Sequence, residues 1–325
     1  MTRLVRAVAS GISAVAFVAL AGPVGAQDYP SRPITIVVPQ APAASSDLLA
    51  RTLGERLHAA WGQPVIIDNR PGAGGNVGAA YAARAQPDGY TLMVGTDAMM
   101  TSNVYLYKNM PFDPVKDFAP ITNAGANIIG LTVNSQLPVN SVAELIAYAK
   151  AHPGKIHYGS PGIASPHHLS GELLRQKTGV EIVHVPYRGG GPAANDLLGG
   201  HINMAFLSLS SAVPHLPTGK LKILALVEKS RYPAMPDIPT VAETVAGFEM
   251  SSWLGMFAPA GTPEPLIARL NEGIIRILTA EAVKEKLAGL GLAVAPSTPA
   301  ELAAIIKEGL AVRGQLVKAA NIQAE

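Results

Sequence analysis

Serine and histidine meet in one short segment of this chain, Ser165-Pro166-His167-His168, so chemistry is asked of it first. A serine nucleophile needs its base within hydrogen-bond reach. Residues two or three apart at a helix start face each other poorly, and no Gly-x-Ser-x-Gly elbow surrounds Ser165. A hydrolase therefore finds no constellation here. His157, His167, His168 and His184 lie close in sequence, but none falls in His-Glu-x-x-His or a comparable metal spacing. His157 and His184 read as strand-end residues. The glycines from Gly72 to Gly78 suggest a nucleotide loop, yet Val77 stands where the dinucleotide fingerprint needs its last glycine. No Gly-Lys-Ser/Thr follows either. Neither a cofactor nor a metal is expected.

What the same segment can do is hold an anion. Residues 155–179 read as a short strand, a turn of small residues and a helix with Leu169 and Leu173 on one face and Gly179 as its stop. Ser165 suits the N-cap and Pro166 the first helical turn. Such a turn points free N–H groups outward, and the helix dipole adds roughly half a positive charge. Residues 34–57 repeat the pattern. Ile34 to Val38 form a strand, a turn of small residues follows, Ser46 or Asp47 caps, and Leu49, Leu53 and Leu57 recur every four. Two such cradles, at residues 40–46 and 162–167, predict two lobes facing one cleft.

The chain has 325 residues and a formal charge of +2. Arg3 and Arg6, an apolar run from Val8 to Leu20 and the small residues before Gln27 read as a secretory signal over residues 1–26. Its removal would leave the remainder formally neutral. There is no cysteine, which excludes disulfides and a lipid anchor on Cys and suits a bacterial periplasm. No clustered basic face points to nucleic acid. The remaining length exceeds one typical core, so two lobes are expected. Alternating strands and helices argue for two mainly parallel α/β sheets. Asn76 is read as a cap for a helix over 77–85, Ser141 with Glu144 as a capping box, and Thr262-Pro263 and Thr298-Pro299 as helix starts.

Several blocks carry a family resemblance. They are GQPVIIDNRPGAGGNVGAAYAARAQPDGYTLMVGT at 62–96, PFDPVKDFAPIT at 111–122, HVPYRGGGPAANDLLGGHI at 184–202, PDIPTVAE at 236–243 and SSWLGMFAPAGTP at 251–263. Together they resemble the Bug/TctC family, extracytoplasmic receptors of tripartite tricarboxylate transport systems. The resemblance implies a two-lobed type II periplasmic-binding-protein fold that closes like a flytrap. It implies no catalysis, a small carboxylate held mainly by backbone amides and water, and membrane transporter subunits as partners. A monomer is expected. The lobes would comprise residues 27–125 with 228–325, and residues 126–227. His168 matches the family's histidine inside the second helix, with a structural role.

The chain departs from the family pattern at the cradles. Gln40 replaces a phenylalanine and Ala43-Ala44 a pair of glycines, which predicts a reshaped loop because alanine tolerates positive φ poorly. Ala164-Ser165-Pro166 replaces Gly-Thr-Ser. After Gly95-Thr96, Asp97-Ala98-Met99-Met100 stands where small or polar residues are usual, and Leu207 where an acid is common. The expected ligand-binding set is Gln40, Ala43, Ala44, Ser45, Ser46, Asp47, Thr96, Asp97, Met99, Gly162, Ala164, Ser165, His167, Tyr187, Arg188 and Leu207. Arg188 would pair with a carboxylate and Tyr187 would line the wall. Leu207 at the cleft would disfavour an ammonium on the ligand. The alternatives left open are an aromatic acid or an amide on the same fold.

Overall fold

A computed structural model describes residues 29–250, 252–319 and Ile322. The signal segment lies outside these residues, as does Ser251.

The chain opens with β1 (Ile34–Val38), a β-branched run, and α1 (Ser45–Trp61). The Leu49, Leu53 and Leu57 stripe of α1 is fully buried, as the four-residue spacing predicts. Next come β2 (Val65–Asn69), α2 (Asn76–Ala83), β3 (Thr91–Thr96) and the long β4 (Phe118–Asn127). One residue later the chain enters β5 (Ile129–Asn134). Then follow α3 (Val142–Ala151), β6 (Ile156–Ser160), α4 (Pro166–Thr178), β7 (Ile182–Pro186), α5 (Gly190–Gly199), β8 (Met204–Ser208), the single turn α6 (Leu209–Ala212) and β9 (Leu221–Leu226). The chain ends with β10 (Trp253–Pro259), α7 (Glu264–Thr279), α8 (Glu281–Gly289), β11 (Leu292–Val294) and α9 (Pro299–Ala319).

These strands form two sheets, ordered β11-β4-β10-β3-β1-β2 and β7-β6-β8-β5-β9. The sheets are mixed rather than mainly parallel. Only β1 with β2 and β3, and β6 with β7 and β8, run parallel. The pairs of β10 with β3 and β4, of β11 with β4, and of β5 with β8 and β9 are antiparallel. Helical crossovers impose parallel pairing only on the strands they join, and β4 and β5 are reached without one. Val241, Val245, Phe248 and Met250 pack into the core of the second sheet, beyond the boundary expected at 228. One helix start differs from expectation and two others differ only in how the cap is bonded. Asn76 lies inside α2, after Gly75 at the cap. Thr262 donates to Pro259 O at 2.7 Å and leaves Pro263 as the cap. Ser141 accepts from Glu144 N at 3.1 Å, but Glu144 reaches back to Asn140 N at 2.7 Å, one residue short of closing the box.

The two halves are stitched along their junction. Ile128 N donates to Gly291 O at 3.1 Å, and Leu209 N to Ile128 O at 2.9 Å. The far end of α9 also crosses over. Leu316 packs against the second sheet's core, while Val317 meets Leu106 and Ala164. Upstream on α9, Arg313 Nη2 reaches Asp97 Oδ2 at 3.1 Å at the end of β3, and its Nη1 lies against Met250 Sδ.

Gly171 shows how tightly α4 sits on its sheet. A Cβ there would stand 2.2 Å from Tyr158 Cε2. Alanine gains about 1 kcal/mol of helix propensity over glycine, but overpacking a filled core costs roughly 1–3 kcal/mol. Gly171→Ala is therefore expected to lower stability by up to about 2 kcal/mol, measured by denaturant unfolding. An unchanged midpoint would show that the ring can move.

Candidate ligand-binding site

The first turn leaves β1 at Pro39 and enters α1 at Ser45. Ala43 holds a left-handed φ of 64°. Such a conformation costs an alanine roughly 1–2 kcal/mol. Asp47 holds the turn in place. Its Oδ2 accepts from Ala43 N and Arg51 Nε, both at 2.9 Å, and its Oδ1 from Asn69 Nδ2 at 3.0 Å. Burial works to raise this carboxyl, but the bonds from Arg51, Ala43 and Asn69 outweigh it and hold it below its ordinary value. Asp47 thus braces the loop. Gln40 turns inward, with its Oε1 accepting from Ser46 Oγ at 2.5 Å. The cap residue Ala44 has no side-chain acceptor to offer. The amides of Ser45 and Ser46 consequently meet no acceptor among the described residues. These are the bare donors a carboxylate needs.

The second turn runs from Ser160 to α4. Gly162 has φ 157°, and Ala164 has a left-handed φ of 52°. Ser165 Oγ accepts from His168 N at 3.3 Å and donates to Gly162 O at 2.7 Å. It is the helix cap, with its proton already committed inside the loop, and it shapes the cradle rather than donating to a ligand. Pro166 has no N–H, which leaves the His167 amide as the bare donor of this first turn. The turn is locked from behind. Ala164 N donates to His168 Nδ1 at 2.8 Å, and the His168 ring stacks on His184 at 3.7 Å between centroids. His184 Nε2 meets Ser160 Oγ at 2.7 Å, and Tyr158 donates to Glu172 Oε1 at 2.7 Å.

Three residues absent from the expected set join the two turns. Ser45 Oγ donates to Asn127 Oδ1 at 3.0 Å and lies 3.1 Å from Ser210 Oγ. Asn127 Nδ2 donates to Ser208 Oγ at 3.0 Å, and Ser208 lies 3.0 Å from His167 Nε2. The starts of α1 and α4 are therefore linked by side chains. The sequence signal for two of them was the Ser-Leu-Ser-Ser run that starts at the last residue of β8, which carries no motif of its own.

The other expected residues divide. Tyr187 N donates to Ser160 O at 2.9 Å, so Tyr187 borders the second turn, and its hydroxyl donates to Asp196 Oδ2 at 2.7 Å. Arg188 is exposed. Thr96 accepts from Met99 N at 3.4 Å. Asp97 is not a ligand residue, because it is buried in an ion pair with Arg313. Burial pushes its carboxyl up to about 6 against the pull of that guanidinium. Met99 and Met100 are fully buried in the core beside Val37 and Phe257. Leu207 is fully buried among Ala193, Ala194 and Leu197. Alternation along β8 turns Ala205 and Leu207 toward α5, so Leu207 cannot screen a ligand for charge.

The histidines behind the second turn carry no charge near neutrality. Burial depresses His167 to about 3 and His168 to about 4, the latter against the pull of Glu172. Burial, then His168, takes His184 to about 3. The unfolded chain protonates its histidines near pH 6.5 while the fold does not, so their stabilisation is complete above that pH and is lost as pH falls toward 4. Glu228 works the other way, since burial lifts it to about 7 and the fold keeps its proton longer than the unfolded chain does. Stability should decline from pH 6.5 to 4.5, and Glu228→Gln should steepen the decline, read from urea midpoints across pH. A curve flat over that range would overturn the assignment. Ala43→Gly should raise stability by roughly 1 kcal/mol through relief of the left-handed strain, measured the same way. A lower midpoint would show the strain is not there.

Comparison with known proteins follows the same geometry. Residues 49–322 match the family model described as Tripartite tricarboxylate transporter family receptor. BugT of Bordetella pertussis is 36% identical over 301 residues, covering 92% of this chain and 91% of that protein. A Rhodopseudomonas palustris structure with adipate superposes with a TM-score of 0.88 at 35% identity, over 91% of this chain and 100% of that one. MatC from Rhodopseudomonas palustris, with bound malate, gives 0.79 at 33% identity, over 89% and 100%. With the family model matched over most of its length and these relatives covered almost entirely, the chain belongs to the TctC family of tripartite tricarboxylate transporter receptors.

Proposed function

We propose that this chain is a periplasmic receptor that captures a small dicarboxylate between its two sheets and delivers it to the membrane subunits of a tripartite transporter. The observation that carries the reading is the pair of turns with bare amides, Ser45 and Ser46 on one side and His167 on the other, tied together through Asn127 and Ser208. Helix N-termini supply donors and dipole where a carboxylate oxygen sits, and closure strengthens both by excluding water. Relatives with adipate and malate support the same ligand class. The matching family model is described as a receptor, which supports binding without turnover. No helix among the described residues is long and apolar enough to cross a membrane, and the signal-like residues 1–26 support export.

Thermal shift and calorimetry of the chain without residues 1–26 test this against succinate, malate, adipate, benzoate and a dicarboxylic amide. A dicarboxylate should raise the melting temperature. Stabilisation reaches about 2.7 kcal/mol at a ligand concentration one hundred times the dissociation constant. The recovered ligand should be chemically unchanged. Binding of only the benzoate or the amide would replace the dicarboxylate reading, and turnover would replace the receptor reading.

A further inference from the structure

The proton count along the chain of side chains linking α1 and α4 leaves one donor over. Ser45 Oγ gives its proton to Asn127 Oδ1 at 3.0 Å, so the contact with Ser210 Oγ at 3.1 Å must be donated by Ser210. Asn127 Nδ2 donates to Ser208 Oγ at 3.0 Å. The remaining proton of Ser208 faces His167 Nε2 at 3.0 Å and has no other acceptor nearby. All four bonds then point one way, from Ser210 toward His167. A neutral ring that accepts at Nε2 carries its proton on Nδ1.

That Nδ1 has no hydrogen-bond partner among the described residues, although the His167 side chain is only 5% exposed. A buried N–H without an acceptor loses its hydration with no return, so it calls for an acceptor from outside the chain. Burial depresses the His167 pKa to about 3, so the ring stays a single donor rather than a cation. The residue also stands on the first turn of α4, where its own amide is bare and the dipole favours negative charge. Two unsatisfied donors of one residue thus belong to the same helix start.

We propose that His167 Nδ1–H is a ligand-recognition donor that seats one carboxylate oxygen, and that the Ser210–Ser45–Asn127–Ser208 relay couples this contact to lobe closure. The proposal rests on the dicarboxylate-receptor reading. Ser45 belongs to α1 and Asn127 to the last position of β4, both with the first sheet. Ser208, Ser210 and His167 belong with the second. Parting of the lobes breaks the Ser45–Ser210 contact and frees Ser45 and Asn127 to turn. The direction of donation, and with it the proton on Nδ1, is defined only when the lobes are together. An oxygen acceptor on the ligand and the closed arrangement therefore favour each other.

Two substitutions separate the ring's two nitrogens. The shorter Asn carboxamide sets its nitrogen near Nδ1, while Gln reaches the Nε2 position and keeps the bond to Ser208. Calorimetry with succinate, malate and adipate should show His167→Gln losing affinity by about tenfold or more, the scale of one hydrogen bond to a charged group. His167→Asn should lose less. Unfolding curves confirm that each variant is folded, and spectra of histidine-labelled wild type need no variant. Those spectra should place the proton on Nδ1 and move it downfield when ligand is added. Equal binding by wild type and His167→Gln overturns the inference and leaves the receptor reading intact. A proton found on Nε2 in the complex does the same. If no carboxylate binds wild type, the receptor reading fails and the inference fails with it.

Discussion

Everything in this molecule depends on a strand turning into a helix without satisfying the helix's first amides. A helix normally caps those donors with a side chain, because an unpaired buried N–H is costly. Here Ala44 cannot cap α1, and Pro166 removes a donor from α4 while its neighbour's amide stays bare. The donors are kept empty by rigid support from behind. Asp47 braces the first turn through Ala43, Arg51 and Asn69, and the stacked His168 and His184 brace the second through Ala164 and Ser160. Both turns accept a left-handed alanine as part of that arrangement. A strain of roughly 1–2 kcal/mol at each is within what such networks can hold.

The buried polar groups differ in what they contribute. The Asp47 cluster satisfies its carboxylate through three donors, so ionisation there favours the fold. Glu228 accepts Ile129 N at 3.0 Å with one oxygen and leaves the other without a partner among the described residues. It sits where the chain returns from the second sheet, so an ionised carboxyl there opposes the packing around it. The histidine stack tolerates no charge at all, since two imidazolium rings 3.7 Å apart would repel in a medium of low dielectric.

Both cradles were legible because their signals are local. A β-branched run, a turn of small residues and leucines every four positions specify strand, turn and helix before any tertiary contact. What joins the cradles was not legible. Asn127 and Ser45 are 82 positions apart, and Ser210 and Ser45 are 165 apart. None of these residues has a type that announces binding. Leu207 misled because a position marked by relatives does not reveal which way its strand faces, and here the pleat turns it into the core. Asp97 misled for a similar reason, as its partner Arg313 lies 216 positions away. The expectation of parallel sheets overlooked the strands that arrive without a helical crossover.

The last helix has a mechanical consequence. It begins among the first sheet's elements, anchors at Asp97 through Arg313, and ends with Val317 against Leu106 and Ala164. Ala164 belongs to the second turn itself, so a rod rooted with the first sheet leans on a turn that belongs with the second. Residues at the tail of α9 therefore hold the two halves together by apolar packing, in addition to the polar links through Asn127 and Ser208.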